Sequence, residues 1–314
     1  MEPEILPPLR ILLLGPPQIE YGGHPLRIQR RLLRTLLFYL ATQADPVGRQ
    51  TLLDLFWPDE DQEDGRRHLR EVLSKLRTAL PLPTLIHTTQ DLVWLDRAQV
   101  YVDVREFQTL MHQARIYLKL PLAAPLPEAV YQRLCKAVNL WRGQRFLAGV
   151  ELPSTEAFDE WLTYTSAALE SALMTALEVL AEHAALSGDL DEAIHWARRA
   201  LQMDESHWRL RARMIGWLCD LGQYAAAQEE CERVQNDLAA EGINEVPEEF
   251  QSLCQRLHLA LRQPRPPEPA PWFSLRTLHV PFVGRDEVLD ALRTLALQGG
   301  VAMLWGRQAA VKVA

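Results

Sequence analysis

The stretch that decides the fold is residues 64–80, which read DGRRHLREVLSKLRTAL. Its apolar residues recur at the spacing of one face of an α-helix: Leu69, Val72, Leu73, Leu76 and Leu80. Steps of about 100° per residue place four polar residues on the outward face: Arg67, Glu71, Ser74 and Thr78. Basic side chains flank that face: Arg70 and Arg77 on one side, His68 and Lys75 on the other. This pattern suits a helix in the major groove of DNA, although a solvated surface helix shares it.

Charge restricts how such a helix would bind DNA. The 314 residues carry a formal net charge of −8, which argues against indiscriminate nucleic-acid binding. Residues 65–80 nevertheless hold five cations and one anion. A basic patch on an acidic body is expected to bind DNA weakly alone and to favour a dimer or a partner protein.

The segments around this helix predict a winged helix-turn-helix. Short β-like runs near residues 9–28 precede helical stripes at 30–42 and 51–56. The helix at 65–80 follows, with Asp64 as its expected N-cap, and then a hairpin at 84–96. In this order the third helix reads the major groove and the hairpin is the wing. A small α+β module of another use is the alternative.

Twelve residues are the predicted DNA-binding set. Arg67, Glu71 and Ser74 are expected to face base edges, because Arg suits guanine and Glu accepts from the cytosine amino group. Arg66 lies nearer the apolar side and is interpreted as structural or capping. The other members are predicted phosphate contacts (Arg70, Lys75, Arg77, and further away Arg30 and Arg31) and wing residues near the minor groove (His87, Thr88, Thr89 and Gln90).

The middle of the chain carries a repeat. Gly188, Ala193 and Ala200 recur 34 residues later as Gly222, Ala227 and Val234. That period is the tetratricopeptide length, and glycine suits the turn between the paired helices. Degenerate repeats are expected on either side, because such arrays need about three units for stability. The array could serve regulation, dimerisation, partner contact or ligand sensing.

Several motifs resemble a known family. Residues 12–15 (LLLG), 53–59 (LDLFWPD) and 73–77 (LSKLR) look like the winged helix of the SARP/BTAD bacterial transcriptional activators. Residues 140–143 (LWRG) and 151–153 (ELP) resemble the opening of their activation domain. The resemblance implies binding to double-stranded operator DNA, in direct repeats, and contact with RNA polymerase; a homodimer is left open.

The tail resembles the start of a STAND-type ATPase. Residues 281–287 (PFVGRDE) carry this likeness, and residues 306–313 (GRQAAVKV) stand where a phosphate-binding loop belongs. Val311 replaces the second glycine of that loop, and Val313 replaces the hydroxyl that would hold Mg²⁺. No ATP hydrolysis is therefore expected.

The predicted fold class is mainly α with a small β component, a winged helix-turn-helix followed by an all-α tetratricopeptide-like domain. The expected boundaries are 1–104 for the DNA-binding domain, 105–262 for the activation domain, 263–281 for a Pro-rich linker and 282–314 for an incomplete ATPase-like segment. The main hypothesis is a sequence-specific transcriptional activator. The rival is a protein-interaction scaffold without specific DNA binding.

Other classes find little support in the sequence. No catalytic motif occurs, so an enzyme is not predicted. The four cysteines are far apart, without Cys/His pairs at metal spacing, and are interpreted as reduced, buried thiols. No cofactor or metal is predicted. No apolar run of about 18 residues or signal peptide is found, so a cytoplasmic protein without membrane contact is expected.

Overall fold

The computed structural model describes residues 9–149, 155–240, 248–262, 302–304 and 311–313. The chain forms two compact units, Met1–Arg262 and Gln263–Ala314. In chain order the elements are β1 (Leu9–Leu12), β2 (Gln18–Tyr21), β3 (His24–Pro25), α1 (Arg31–Thr42), β4 (Val47–Gly48), α2 (Arg49–Phe56), α3 (Gln62–Ala79), β5 (Ile86–Thr88), β6 (Leu92–Leu95), β7 (Val100–Val102), α4 (Asp103–Ala114), α5 (Glu128–Asn139), α6 (Glu156–Leu186), α7 (Leu190–Leu201), α8 (Trp208–Asp220), α9 (Tyr224–Ala240), α10 (Glu248–Arg262), β8 (Ala302–Leu304) and β9 (Val311–Val313).

The N-terminal part is a winged helix-turn-helix, as the sequence predicted. One sheet has the order β3-β2-β1-β7, in which β1 pairs antiparallel with β2 and parallel with β7. A second sheet, β4-β6-β5, is the wing. The short strand β4 was not expected; it pairs with β6 through Val47 and Val93. The wing is therefore held to the segment that leads into α2.

The start of α3 differs from the prediction that Asp64 is its N-cap. Asp61 holds that position, and its Oδ1 accepts hydrogen bonds from the backbone N–H groups of Glu63 and Asp64, both at 2.9 Å. The N-cap prediction was wrong because Asp61 satisfies two of the N–H groups that the first turn leaves unpaired. The helix begins at Gln62 and ends at Ala79, where the sequence predicted 65–80.

A close backbone contact joins the end of β1 to residues 142–148. The N–H of Arg142 donates to the carbonyl of Leu14 at 2.9 Å, and the N–H of Ala148 donates to that of Gly15 at 3.0 Å. Gly15 has a φ of +118°, and a Cβ added there would lie 2.8 Å from the backbone nitrogen of Gly143. Only glycine fits this approach, because any side chain would meet backbone.

Asp103 is the buried anchor of this junction. Its carboxylate is 1% exposed and accepts from the backbone N–H groups of Leu13, Leu14 and Val104 at 2.8–3.0 Å. Burial raises the pKa of Asp103, while those N–H groups and the nearby Arg142 guanidinium oppose the shift. Asp103 is the first residue of α4 and directly follows β7. Its carboxylate therefore ties the start of α4 to the backbone at the end of β1.

An aromatic cluster joins α6 to the helices of the winged part. The rings of Tyr39 on α1 and Trp161 on α6 have centroids 4.8 Å apart, and those of Phe56 on α2 and Phe158 on α6 are 5.6 Å apart. Phe158 is 1% exposed. The winged part and the beginning of the helical part therefore share one hydrophobic core.

The helical part follows the predicted repeat. Gly188 and Gly222 have φ values of +85° and +71° and lie in the turns after α6 and α8, as expected from their 34-residue spacing. The small residues at the repeated positions are buried: Ala181, Ala184, Ala193, Ala200 and Ala227. Small side chains let each helix approach the next closely. The first helix of the array, α6, is 31 residues long and also reaches the winged part.

The second unit is described only by a short hairpin. β8 and β9 pair antiparallel, with Ala302 opposite Val313 and Leu304 opposite Val311. Residues 311–313 therefore continue as a strand, whereas a phosphate-binding loop leads into a helix. The predicted Pro-rich linker and residues 281–287 lie outside the described residues. Among the helices that the structure describes, none is long and apolar enough to cross a membrane.

Candidate nucleic-acid interface

The outward face of α3 has the predicted composition. Arg67, Glu71, Ser74 and Thr78 are exposed, while the opposite side of the helix is buried. Arg66 is also exposed, with its Nη2 3.5 Å from the side-chain oxygen of Gln62 on the same helix. Arg66 does not cap the helix, because Asp61 does, and the contact of Arg66 with Gln62 is compatible with the structural role that was the other half of the interpretation. Arg66 adds a cation to the exposed face.

Two of the predicted base-reading residues are paired within the helix. The Nη2 of Arg67 lies 2.7 Å from the Oδ1 of Asp64, and the Nζ of Lys75 contacts the carboxylate of Glu71. The Arg67 side chain is 63% exposed. Exposed ion pairs contribute only about 0–1 kcal/mol, so both pairs can open when a stronger partner arrives.

Arg77 connects α3 to the wing. Its Nη2 donates to the Oγ1 of Thr88 at 2.6 Å, and its Nε and Nη2 both lie 3.4 Å from the carbonyl of Ile86. The side chain is half-buried. Arg77 thus holds β5 in a fixed orientation relative to α3. The charge of the Arg77 guanidinium lies between α3 and β5, near the surface.

Arg49 is the residue that the sequence analysis missed. It is the first residue of α2; its Nε donates to the carbonyl of Thr89 at 3.1 Å, and its backbone N–H donates to that of Asp91 at 2.7 Å. Burial lowers the pKa of Arg49, and the positive charges of Arg77 and Arg70 lower it further, while the carboxylate of Asp91 opposes the shift. Arg49, Arg70 and Arg77, called here the arginine cluster, therefore bring three cations from two helices together beside the wing.

One feature of the sequence could have identified Arg49: it directly follows Val47 and Gly48, which form a strand in the structure. Two residues are too short a run to be recognised as a strand from the sequence. Only the pairing of that strand with β6 places Arg49 beside the wing.

The four predicted wing residues have different surroundings. The His87 ring stacks on Trp94 with centroids 5.3 Å apart, and its Nε2 lies 3.5 Å from the Oδ2 of Asp96. Thr88 is half-buried against Arg77, whereas Thr89 and Gln90 are exposed at the tip. The backbone N–H of Leu92 donates to the Oγ1 of Thr89 at 3.0 Å and closes the turn.

Arg30 and Arg31 lie on a separate element. Arg30 is the N-cap residue of α1 and Arg31 is its first helical residue, and both are exposed. The acidic residues 59–64 lie at the beginning of α3, where the Oε2 of Glu60 contacts the Nδ1 of His68 at 2.7 Å. In the part of the chain that the structure describes, no group of three or more His, Cys, Asp or Glu could hold a metal ion.

The fold and this exposed face define the chain as a winged-helix protein with a helical-repeat domain. One family matches: the bacterial transcriptional activator domain, over residues 102–258. The matched range runs from the end of β7 into α10 and covers half of the chain. The chain belongs to this family of bacterial transcriptional activators.

A comparison with solved structures supports the fold. The chain is similar to Mycobacterium tuberculosis EmbR in complex with a low-affinity phosphopeptide, with 19% sequence identity and a TM-score of 0.57. The similarity covers 81% of this chain and 65% of the EmbR chain. A search of the curated proteins found no match. At this identity the likeness extends to the fold alone.

Proposed function

We propose that the chain is a sequence-specific DNA-binding transcriptional activator, with α3 in the major groove and the wing beside it. The arginine cluster is the observation that carries this proposal. Arg49 and Arg77 both donate hydrogen bonds to the wing, to the carbonyl of Thr89 and the Oγ1 of Thr88. With Arg70 they form a group of like charges that Asp91 offsets in part, and a DNA phosphate would reduce the repulsion among them. The exposed polar face of α3 begins beside the cluster.

Phosphate contacts follow from the same arrangement. Arg70 and Arg77 retain the role that the sequence suggested, and Arg49 joins them. Lys75 is released for a phosphate when its pair with Glu71 opens. Arg30 and Arg31 stay predicted contacts farther along the backbone of the DNA.

Base recognition is proposed for the centre of the α3 face. Arg67 can leave Asp64 and donate to guanine O6 and N7, and Glu71 can accept from a cytosine amino group. Ser74 lies on the same exposed face. Arg67 and Glu71 are each held in an exposed ion pair within the helix. Breaking such a pair costs little free energy, so both side chains can turn toward the DNA bases.

The wing is proposed to approach the minor groove through its tip. Thr89 and Gln90 are the exposed members of the predicted set. His87 and Thr88 stay predicted minor-groove contacts. Their contacts, of His87 with Trp94 and of Thr88 with Arg77, stabilise the wing.

The helical domain is proposed to serve regulation or partner contact. Family membership supports RNA polymerase as a partner and direct repeats as the operator arrangement. Dimerisation through the repeats and a location in the cytoplasm belong to the same proposal. The boundaries 1–104, 105–262, 263–281 and 282–314 remain the proposed domain division.

Selection of binding sites from random oligonucleotides, followed by salt titration, tests the proposal. Arg70→Ala is the cleanest variant, because the side chain is exposed and its Nε donates to a carbonyl of the same helix, that of Arg66, at 3.2 Å. We expect weaker binding to all sequences and a salt dependence of log affinity that is shallower by roughly one unit. Arg67→Ala should instead relax the preference at one base pair.

Arg133→Ala is the matched control, because Arg133 is an exposed arginine on α5, away from α3. It removes the same charge and should leave the salt dependence unchanged. If Arg70→Ala and Arg133→Ala behave alike, or if no sequence is enriched, the chain acts as a protein-interaction scaffold instead.

A further inference from the structure

A pocket of about 300 Å³ lies at the root of the wing, on the side of α4. Its apolar wall comes from the end of α1, from β4 and from β6, which contribute Leu40, Val47 and Trp94 respectively. The α4 residue that lines it is Arg105. Ligand sites in proteins span about 300–1,000 Å³, so this wing-root pocket suits a small molecule of a few carbon atoms.

Arg105 brings an incompletely paired charge to the pocket. Its Nη2 donates to the carbonyl of Leu40 at 3.2 Å. Its Nε and Nη1 are shielded from solvent, and neither has a hydrogen-bond partner among the residues that the structure describes. Guanidinium groups stay protonated in proteins, so unpaired donors here are unfavourable until an acceptor arrives.

The unpaired donors of Arg105, with Arg97 as a second cation in the lining, favour an anion as that acceptor, while two carboxylates in the same lining oppose it. Burial lowers the pKa of Arg105, and the positive charge of Arg97, which also lines the pocket, lowers it further. Of the two acidic residues in the lining, Asp96 is engaged by Gln99 and by the backbone N–H of Ala98.

Asp45 is the second acidic residue, and it is exposed at the edge of the pocket. Its negative charge opposes an incoming anion. Removing the charge of Asp45 by substitution should therefore strengthen the binding of an anion in the pocket.

We propose that the wing-root pocket binds a small oxyanion, a carboxylate or phosphate group, which accepts hydrogen bonds from Arg105 with Arg97 at the entrance. The apolar wall formed by Leu40 and Trp94 would contact the rest of the molecule. The residues that line this site belong neither to the arginine cluster nor to the predicted DNA-binding set, and its wall residue Trp94 stacks on His87 of the wing.

Calorimetric titration with succinate and with inorganic phosphate, at constant ionic strength in sodium chloride, tests the site. We expect saturable binding of at least one of them. Arg105→Met should weaken it about tenfold or more, the size expected for losing a charge-assisted hydrogen bond. Succinate alone would indicate a carboxylate metabolite, and phosphate alone a phosphorylated one.

Two further variants separate binding from folding. Asp45→Asn should strengthen binding several-fold, because it removes the opposing charge, and Arg133→Met should leave it unchanged. In the full chain, the indole N–H resonance of Trp94, assigned with Trp94→Phe, should shift with the same midpoint. The proposal fails if neither anion binds, or if Asp45→Asn and Arg105→Met leave the affinity unaltered.

Discussion

Replacing Gly15 by alanine tests the junction between the winged part and the helical part. The new Cβ would lie 2.8 Å from the nitrogen of Gly143 and 3.0 Å from the carbonyl carbon of Arg142. Both atoms belong to backbone and cannot rotate away. The residue would also have to adopt a φ of +118°, which L side chains rarely do.

The expected cost follows from these two terms. Strained backbone costs about 1–3 kcal/mol, and forcing an extra carbon into packed structure costs about 1–3 kcal/mol. Together they give about 2–6 kcal/mol, a large part of the roughly 5–15 kcal/mol that stabilises a typical domain. Gly143→Ala should cost less, because its Cβ would meet the Cα of Gly15 and the Cδ of Pro16 at 3.2 Å.

Urea denaturation followed by circular dichroism measures these differences. Gly22→Ala is the control: its φ is +56°, no atom lies within 4 Å of the added Cβ, and it should cost about 1–2 kcal/mol. Hydrogen exchange at the amides of Leu147 and Ala148 should also accelerate in Gly15→Ala, because both donate across the junction. Equal destabilisation by Gly15→Ala and Gly22→Ala would contradict the close approach.

Three other perturbations have defined outcomes. Phe158→Ala should lower the unfolding free energy by about 3–5 kcal/mol in urea titrations; a loss below 1 kcal/mol would contradict the shared core. The hydrogen bond that His207 Nε2 donates to the Glu178 carboxylate raises the pKa of His207 above 6.5, so that this stabilisation is present below pH 6.5 and lost as pH rises through the higher folded pKa. Glu178→Gln should therefore flatten that slope in thermal denaturation across pH 6–9. Asp61→Ala should cost about 1 kcal/mol and Asp64→Ala less; the reverse order would restore Asp64 as the N-cap.

Much of the fold was readable from local pattern. The apolar spacing of residues 69–80 predicted both the existence of α3 and its buried side, because a helix repeats its contacts along a few neighbouring turns. The 34-residue period likewise predicted the turns at Gly188 and Gly222. The start of α3 was missed because several acidic residues compete for the N-cap, and only the hydrogen bonds of Asp61 distinguish them.

The candidate interface was less readable than the helix that carries it. The sequence identified the exposed face of α3, including Arg67 and Ser74. It did not identify Arg49, whose position depends on a two-residue strand that pairs with residues more than forty positions away. It also did not reveal that Arg67 and Glu71 are paired with other side chains.

The sequence by itself determined the kind of elements, their order and the family resemblance, because helical periodicity, turn glycines and charge spacing are local properties. Only the tertiary structure decided which charges meet. The arginine cluster forms because β4 brings α2 to the wing, and Asp103 becomes a buried anchor because β7 pairs with β1. Such contacts depend on how distant strands pair, and a local pattern carries no information about the partner of a strand.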